Sequence, residues 1–334
     1  MQTRKAHGEP MTTLAPLHVI VGAGQIGPQI ARRLVARGLR VRVIRRSPST
    51  DPAIETVTAD VRDPAAAAEA MRGASVVYHT ANPRYHRWGQ ELLPQNRGIV
   101  AGAAKVGARL VVLDNLYMYG TPPGGVMRED SPMNPRSVKG GLRAQAATEL
   151  LDAHARGDAQ IVIARAADFF GPGILNSLLG ERFWKKLVAG KPIEVLGDVD
   201  QPHSYSYGAD VADGLVTLGL SENRTDYGRV WHLPVLPAES TRVWATRFAT
   251  AFGRTPRFQR LAPWMLRLFG LFIPEAKELP EMAYQWQGPF LLDDSAFRAR
   301  FAAAPTPLAD AVAATIAWAR ATYAPAAAPA PAVA

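Results

Sequence analysis

Residues 17–21 form an apolar, β-branched run that stops at Gly22. From Pro28 the spacing turns helical, with Ile30, Leu34 and Val35 on one side and Arg32, Arg33 and Arg37 on the other. A short apolar run giving way to a period near 3.6 predicts a strand followed by a helix. The switch recurs through the first half of the chain. Strands are predicted over 39–44, 54–57, 74–81, 109–113 and 160–166, and helices over 64–72, 92–106 and 138–155. Strands alternating with helices of this length call for right-handed crossovers and a parallel sheet covered on both faces. The predicted class is α/β, a doubly wound parallel sheet. Past 171 the alternation loosens. Helices are expected near 183–188, 210–220, 243–252, 263–271 and 307–320, with extended pieces near 193–196 and 229–233.

Ligands in such sheets sit at the carboxyl ends of the strands, so the loops after 21, 44, 58, 80 and 113 are the informative ones. The first reads Gly22, Ala23, Gly24, Gln25, Ile26, Gly27. Strand, Gly-rich turn and helix together are the context of a dinucleotide-binding turn. Gly22 permits the turn, Gly24 lets backbone approach a pyrophosphate, and Gly27 lets helix pack on strand. The amides at the helix start then face phosphate charge. The alternative is an ordinary tight strand–helix turn. After the second strand come Arg45, Arg46 and Ser47, where an NAD site would place an acidic residue. A guanidinium fork suits a phosphate dianion. The reading is NADP(H) in preference to NAD(H), against the alternative of a solvated basic strand end.

The organisation expected is a leader over 1–15 and a Rossmann-type dinucleotide-binding domain over 16–170. A smaller α+β substrate-side region follows over 171–322, with some elements returning to the sheet, and an Ala/Pro-rich tail spans 323–334.

Composition narrows the function classes. The 334 residues are 48% hydrophobic and carry a net charge of +9, with Lys and Arg scattered rather than blocked. Without a basic–aromatic array, nucleic acid is not an expected partner. The charge reads as a solubilising surface that also attracts an anionic cofactor. Zero cysteines exclude disulfides, thiolate catalysis and Cys-ligated zinc, and seven dispersed histidines offer no metal-binding pair. No signal core or 18-residue apolar span is present, so the expectation is a cytoplasmic protein with no membrane partner.

Several motifs then occur in order: Gly22 to Gly27; Thr58, Ala59, Asp60, Val61; Asp114, Asn115, Leu116, Tyr117, Met118, Tyr119, Gly120; and Arg165 to Gly173. Downstream lie 201–207 with Asp210, and 230–234. On these the chain resembles the extended short-chain dehydrogenase/reductase superfamily, the group of NAD(P)-dependent epimerases and dehydratases, over about 17–318. Closest of all it looks like an atypical subgroup with a degraded catalytic set. The resemblance implies that Asp60 and Val61 hold the adenine ring. It places Ala81, Asn82 and Pro83 beside the cofactor's ribose and phosphate. Asn115 falls where the family keeps a Ser or Thr that bonds the substrate oxygen; an amide can still donate to a carbonyl.

The family's Tyr-x-x-x-Lys has no tyrosine here. One alignment puts Lys139 and Arg143 on the motif, and counting back from Glu149 puts Gly141 and Gln145 there. Tyr117, two residues from Asn115, is the candidate proton donor, with Lys139 or Arg143 making its phenol more acidic. The alternative has Lys139 in solvent. Gly140 and Gly141 mark either a frayed first turn or a close approach.

On the substrate side, His203 is a candidate contact and Tyr207 a packing residue. Arg182, Lys185 and Lys186 are either diphosphate binders or a solvated helical face. The apolar stretch 261–284 suits a pocket cap, a homodimer contact or ordinary core. Three functions compete. The leading one is an NADP(H)-dependent oxidoreductase moving hydride to or from a small carbonyl, imine or alcohol. The others are an epimerase or dehydratase using bound NAD(P) transiently, and a non-catalytic NADP(H)-sensing protein.

Overall fold

The computed structural model describes residues 14–45, 54–262, 265–266 and 277–323. Arg46, most of the predicted leader, the 324–334 tail and most of the helix expected at 263–271 lie outside them. The first half runs β1 Leu17–Val21, α1 Gly27–Val35, β2 Arg40–Ile44, β3 Glu55–Val57, α2 Pro64–Ala70, β4 Ala74–His79, α3 Trp88–Val106 and β5 Arg109–Asp114. Then come β6 Val126–Met127, α4 Val138–Ala155, β7 Ile161–Arg165, β8 Asp168–Phe170, α5 Glu181–Val188, β9 Ile193–Val195, β10 Pro202–His203 and β11 Tyr205–Tyr207. Helix α6 Gly208–Leu220 and strand β12 Val230–His232 follow, and helices Ser295–Phe301 and Leu308–Tyr323 close the described chain.

Seven strands form one sheet in the order β12-β7-β5-β4-β1-β2-β3. Every pairing in it is parallel. This is the predicted Rossmann-type α/β sheet. Strand β1 lies inside the sheet between β4 and β2, and all five of its residues are buried because helices cover both faces. Ile30, Ala31 and Leu34 of α1 pack with Leu215 and Leu218 of α6 on one face, while Ile99 and Ala103 of α3 cover the other. A strand buried along its whole length belongs in such a doubly covered sheet.

Boundaries moved where side chains overrode the pattern. The fourth strand ends at His79 rather than 81, because the Thr80 hydroxyl donates to the carbonyls of Val21 and Gly22, 3.2 Å each, and turns the chain across the Gly-rich turn. Helix α3 starts at Trp88, four residues early, and runs through Pro94. The late strand β12 comes back to the sheet edge beside β7 in the register Val230↔Ile163. Strand β8 instead leaves the main sheet and pairs with β11, Tyr205 opposite Asp168. The region beyond that departure has its own aromatic core, which holds Phe170, Trp184, Trp244 and Phe248.

Three histidines of the main sheet are buried. Burial drives His18 and His79 down to about 4 and His232 to about 3. His79 Nε2 lies 2.9 Å from Asn96 Oδ1, and His232 Nε2 lies 2.7 Å from the Tyr119 hydroxyl. Each ring is neutral when folded, whereas the unfolded chain takes up a proton near the ordinary value of 6.5. Stability is therefore fully present above about 6.5 and falls as the pH drops toward 4, by up to about 1.4 kcal/mol per pH unit for each group. Urea unfolding at about pH 7 and about pH 5 is expected to show this loss, and His79→Gln is expected to shrink it.

Candidate active site

The Gly-rich turn is built as its glycines require. Gly22 has φ +106°, and a side chain there would meet the Ala81 amide nitrogen at 2.7 Å. A Cβ on Gly27 would collide with the Gly22 carbonyl oxygen, whereas one on Gly24 would meet nothing within 4 Å. The open space at Gly24 and the close packing at Gly22 and Gly27 fit a cradle for a dinucleotide pyrophosphate. Ile26 is buried as the residue capping α1. Gln25 reaches across the chain: its side-chain oxygen accepts from the amides of Leu175 (2.6 Å) and Asn176, fixing that loop over the turn. Such a bridge of about 150 residues has no local sequence signal.

Around the cradle the other predicted contacts are distributed unevenly. Asp60 is bonded by the Arg62 guanidinium at 2.6 Å and by the Arg62 amide at 3.0 Å, which hold its carboxyl down at about 2. Val61 packs its carbonyl against Gly98 of α3, where a side chain would collide. The Ala81 carbonyl accepts from Gln95 at 3.0 Å, and the Pro83 carbonyl from the Trp88 indole at 3.2 Å. Asn82 turns inward, its side-chain oxygen accepting from Arg143 at 2.5 Å.

The phase of helix α4 separates the residues of the two alignments. Lys139 and Arg143 are buried on the inward face at 3% and 5% exposure, whereas Gln145 is exposed and bonds Glu149 at 3.0 Å. The inward positions are held by Lys139 and Arg143. Arg143 donates to Asp114 at 3.1 Å, and its guanidinium lies 4.2 Å from the centre of the Trp88 ring. Lys139 pairs with Glu278 and, at 3.4 Å, with Glu281, and lies 4.5 Å from the Tyr85 ring centre. The solvent-facing alternative for Lys139 is thereby corrected. Its partners come from a segment nearly 140 residues away, beyond the reach of any helical spacing rule.

The two glycines have separate roles. The Ser137 hydroxyl caps α4 by accepting from the Gly140 amide at 2.9 Å. A Cβ on Gly140 would meet the Tyr117 carbonyl oxygen at 2.6 Å, whereas Gly141 faces open space. Gly141→Ala is expected to raise stability by about 0.5–1 kcal/mol. Gly140→Ala, which must push the Tyr117 turn away, is expected to lower it. Thermal unfolding of the two variants checks both signs.

Asn115 and Tyr117 lie just past the end of β5, as predicted. The Asn115 side-chain oxygen accepts from the Tyr117 amide at 3.1 Å, the Asx-turn geometry, which leaves only its amide N–H groups for a ligand. The Tyr117 ring stacks on Trp88, centroids 6.1 Å apart, and its hydroxyl bonds that of Tyr85. Burial and then the Asp168 carboxylate push the Tyr117 phenol up, not down. Burial does the same to Tyr85 and takes Tyr284 to about 12. The expected acidifying cation is offset by acids: Asp114 faces Arg143, and two glutamates face Lys139. Tyr117 keeps its proton.

Sequence reasoning gave no role to Asp168, although the residue lies inside a quoted motif, nor to Trp88. His203, expected as a substrate contact, is 1% exposed and bonds Asp168 at 2.9 Å. Tyr207 packs on Phe170 as expected, at 5.4 Å. Arg182 and Lys186 pair with Glu194, and Lys185 with Glu181, at the surface of α5.

Comparison with known proteins now bears on this crevice. The model of the NAD dependent epimerase/dehydratase family matches residues 18–233, well over half of the chain. The chain belongs to that family.

Curated relatives include UDP-glucuronic acid decarboxylases 1 and 4 of Arabidopsis thaliana, 24% identical over 229 residues and 25% over 234. Those alignments take in 60% and 62% of this chain and 52% of each relative, so the chain spans about half the length of the curated relatives it matches. Among solved structures, a Bacillus cereus UDP-glucuronic acid 4-epimerase complexed with UDP-glucuronic acid and NAD aligns at TM-score 0.73 and 17% identity, covering 92% of this chain and 100% of that one. A Streptomyces venezuelae dTDP-glucose 4,6-dehydratase with NAD bound aligns at 0.74 and 18%, covering 92% and 97%. A Thermus thermophilus UDP-glucose 4-epimerase complexed with NAD aligns at 0.72 and 18%, covering 92% and 99%. At these identities the solved structures show the fold.

The expectation of NADP(H) in preference to NAD(H) is overturned: the family is described by NAD, and these neighbours were solved with NAD. The argument from Arg45 and Arg46 took charge for geometry. A guanidinium at a strand end raises the positive potential felt by any dinucleotide phosphate. Selecting an extra phosphate needs an aimed fork. Arg46 lies outside the described residues. Among the described residues, no helix is long and apolar enough to cross a membrane.

Proposed function

We propose that this family member binds NAD along the Gly22–Gly27 turn and uses it transiently, as an epimerase or dehydratase, on a secondary alcohol of a small sugar-like molecule. The observation that carries the reading is the crevice itself. A glycine cradle with open space at Gly24 leads to strand ends carrying proton-bearing Tyr85 and Tyr117 beside the carboxylate of Asp168. When bound, NAD supplies the hydride acceptor and donor. The chain's own part is to hold and to move protons. Backbone amides at the start of α1 would hold the phosphates, Gln25 ties the 175–176 loop over the turn, and Arg143 locks Asn82 to Asp114. The relatives' names support nucleotide sugars as the first substrates to try.

The test is incubation of the NAD-loaded protein with UDP-glucuronic acid, UDP-glucose and dTDP-glucose in deuterium oxide, read by NMR and mass. Transient oxidation makes the C–H beside the new carbonyl acidic. The expected result is therefore deuterium at that carbon, or inverted configuration, without accumulated NADH. NADH accumulating in step with product favours net oxidoreduction instead. Failure to bind NAD removes the reading. A second reading, a nucleotide-binding sensor without turnover, is favoured by Asn115 spending its oxygen on backbone; NAD binding with no exchange on any substrate supports it.

A further inference from the structure

We propose that Asp168, positioned by His203, is the proton acceptor of this site and takes the place of the phenol missing from α4. The inference rests on the reading just given. Strands β5 and β7 are parallel neighbours with Asp114 opposite Arg165. Three residues further along each chain stand Tyr117 and Asp168, so the two strand ends deliver a phenol and a carboxylate to the same crevice. Leu116 and Ala167, the residues just before them, share one apolar cluster with Phe290 and Tyr284.

The carboxylate is held from behind. His203 Nε2 lies 2.9 Å from Asp168 Oδ2, and the imidazole is clamped between Trp286 (centroids 5.3 Å, 8° between planes) and Phe290 (5.1 Å, 17°). His203 Nδ1 is buried with no hydrogen-bond partner, which suits a bare lone pair and puts the ring hydrogen on Nε2, aimed at the carboxylate. His203 is thus a positioning residue. Among the described residues Asp168 Oδ1 has no side-chain partner, and the Asp168 side chain is 27% exposed. The charged and titratable groups facing this cluster include His203 and Tyr205 on the substrate side, Tyr85 and Tyr117 at the strand ends, and Lys139, Arg143, Glu281 and Tyr284 around them.

The environments divide the labour. A buried phenol beside a carboxylate keeps its proton, and the carboxylate is the group able to accept one. The substrate O–H bond breaks with its proton passing to Asp168 Oδ1 and its electron pair remaining on the oxygen, which Tyr117 steadies as a hydrogen-bond donor. A positioned base contributes about 10²–10⁴-fold to rate.

Asp168→Asn keeps shape and hydrogen bonding while removing the acceptor. With the same three sugar nucleotides, it is expected to lower exchange by about 10²–10⁴-fold and to remove the acidic limb of the pH–rate profile. KM and the thermal midpoint are expected to stay put. His203→Gln, which can still donate, is expected to retain more activity than His203→Leu and to shift that limb. A readout without substrate accompanies these: tyrosinate absorbance on alkaline titration should appear at lower pH in Asp168→Asn, because a negative charge beside the phenols is gone. Exchange within about twofold of the parent, well short of the loss expected for a missing base, overturns the proposal whatever the titration shows. An unmoved titration overturns the coupling of Asp168 to the tyrosines. Absence of both exchange and inversion in the unaltered, NAD-loaded protein overturns the parent reading, and the base with it.

Discussion

Gly24→Val is expected to abolish NAD binding and leave the fold standing, whereas Gly27→Val is expected to damage both. The two positions differ by three residues and by opposite kinds of space. A side chain on Gly24 meets nothing of the protein within 4 Å, so the folded chain accommodates it. The volume it fills is the approach a pyrophosphate needs. An affinity loss of at least about a hundredfold, about 2.7 kcal/mol, follows if the phosphates are displaced. At Gly27 the added carbon collides with the Gly22 carbonyl and sits 3.4 Å from Ile20, in the centre of the sheet. Overpacking there costs about 1–3 kcal/mol, and the turn itself must shift. Calorimetric titration with NAD and thermal unfolding separate the two effects. Parent-like NAD affinity in Gly24→Val is the outcome that removes the cradle from the proposal.

Arg143→Met is expected to be the most destabilising single replacement in the crevice. Arg143 and Asp114 are each only 6% exposed in their side chains. Removing the cation leaves a buried carboxylate, and breaking such pairs costs about 3–5 kcal/mol. The loss should fall at the lower end, because Arg165 Nε still lies 3.5 Å from the other oxygen of Asp114. Asn82 loses its donor at the same time. Adding Asp114→Asn to Arg143→Met is expected to recover part of the stability, since the orphaned charge is then gone. Urea unfolding of the two single variants and the double variant gives the coupling directly. Simple addition of the two single losses would show that the pair acts independently, against the arrangement described.

Much of this protein was legible in its sequence. The apolar run 17–21, the glycines at 22, 24 and 27, and the strand–helix alternation led to a doubly wound parallel sheet, which the structure has. These features are local: hydrophobic period sets the element, and the absence of a Cβ sets the turn. The absence of a tyrosine on the helix after β5 was equally plain. Where two local rules competed, as at Arg45 and Arg46, charge alone pointed to the wrong cofactor.

Tertiary structure decided what local rules do not reach. The phase of α4 turned Lys139 and Arg143 inward and Gln145 outward, though sequence offered either set. Glu278 arrived from the far end of the chain to cover Lys139, and Asp168 met His203 across 35 residues because β8 left the main sheet to pair with β11. A residue's element depends on its neighbours in the chain, but its proton affinity depends on which charges and how much water surround it in space. The sequence therefore determined the sheet and its cradle, and only the packed chain decided that Tyr117 keeps its proton beside a carboxylate.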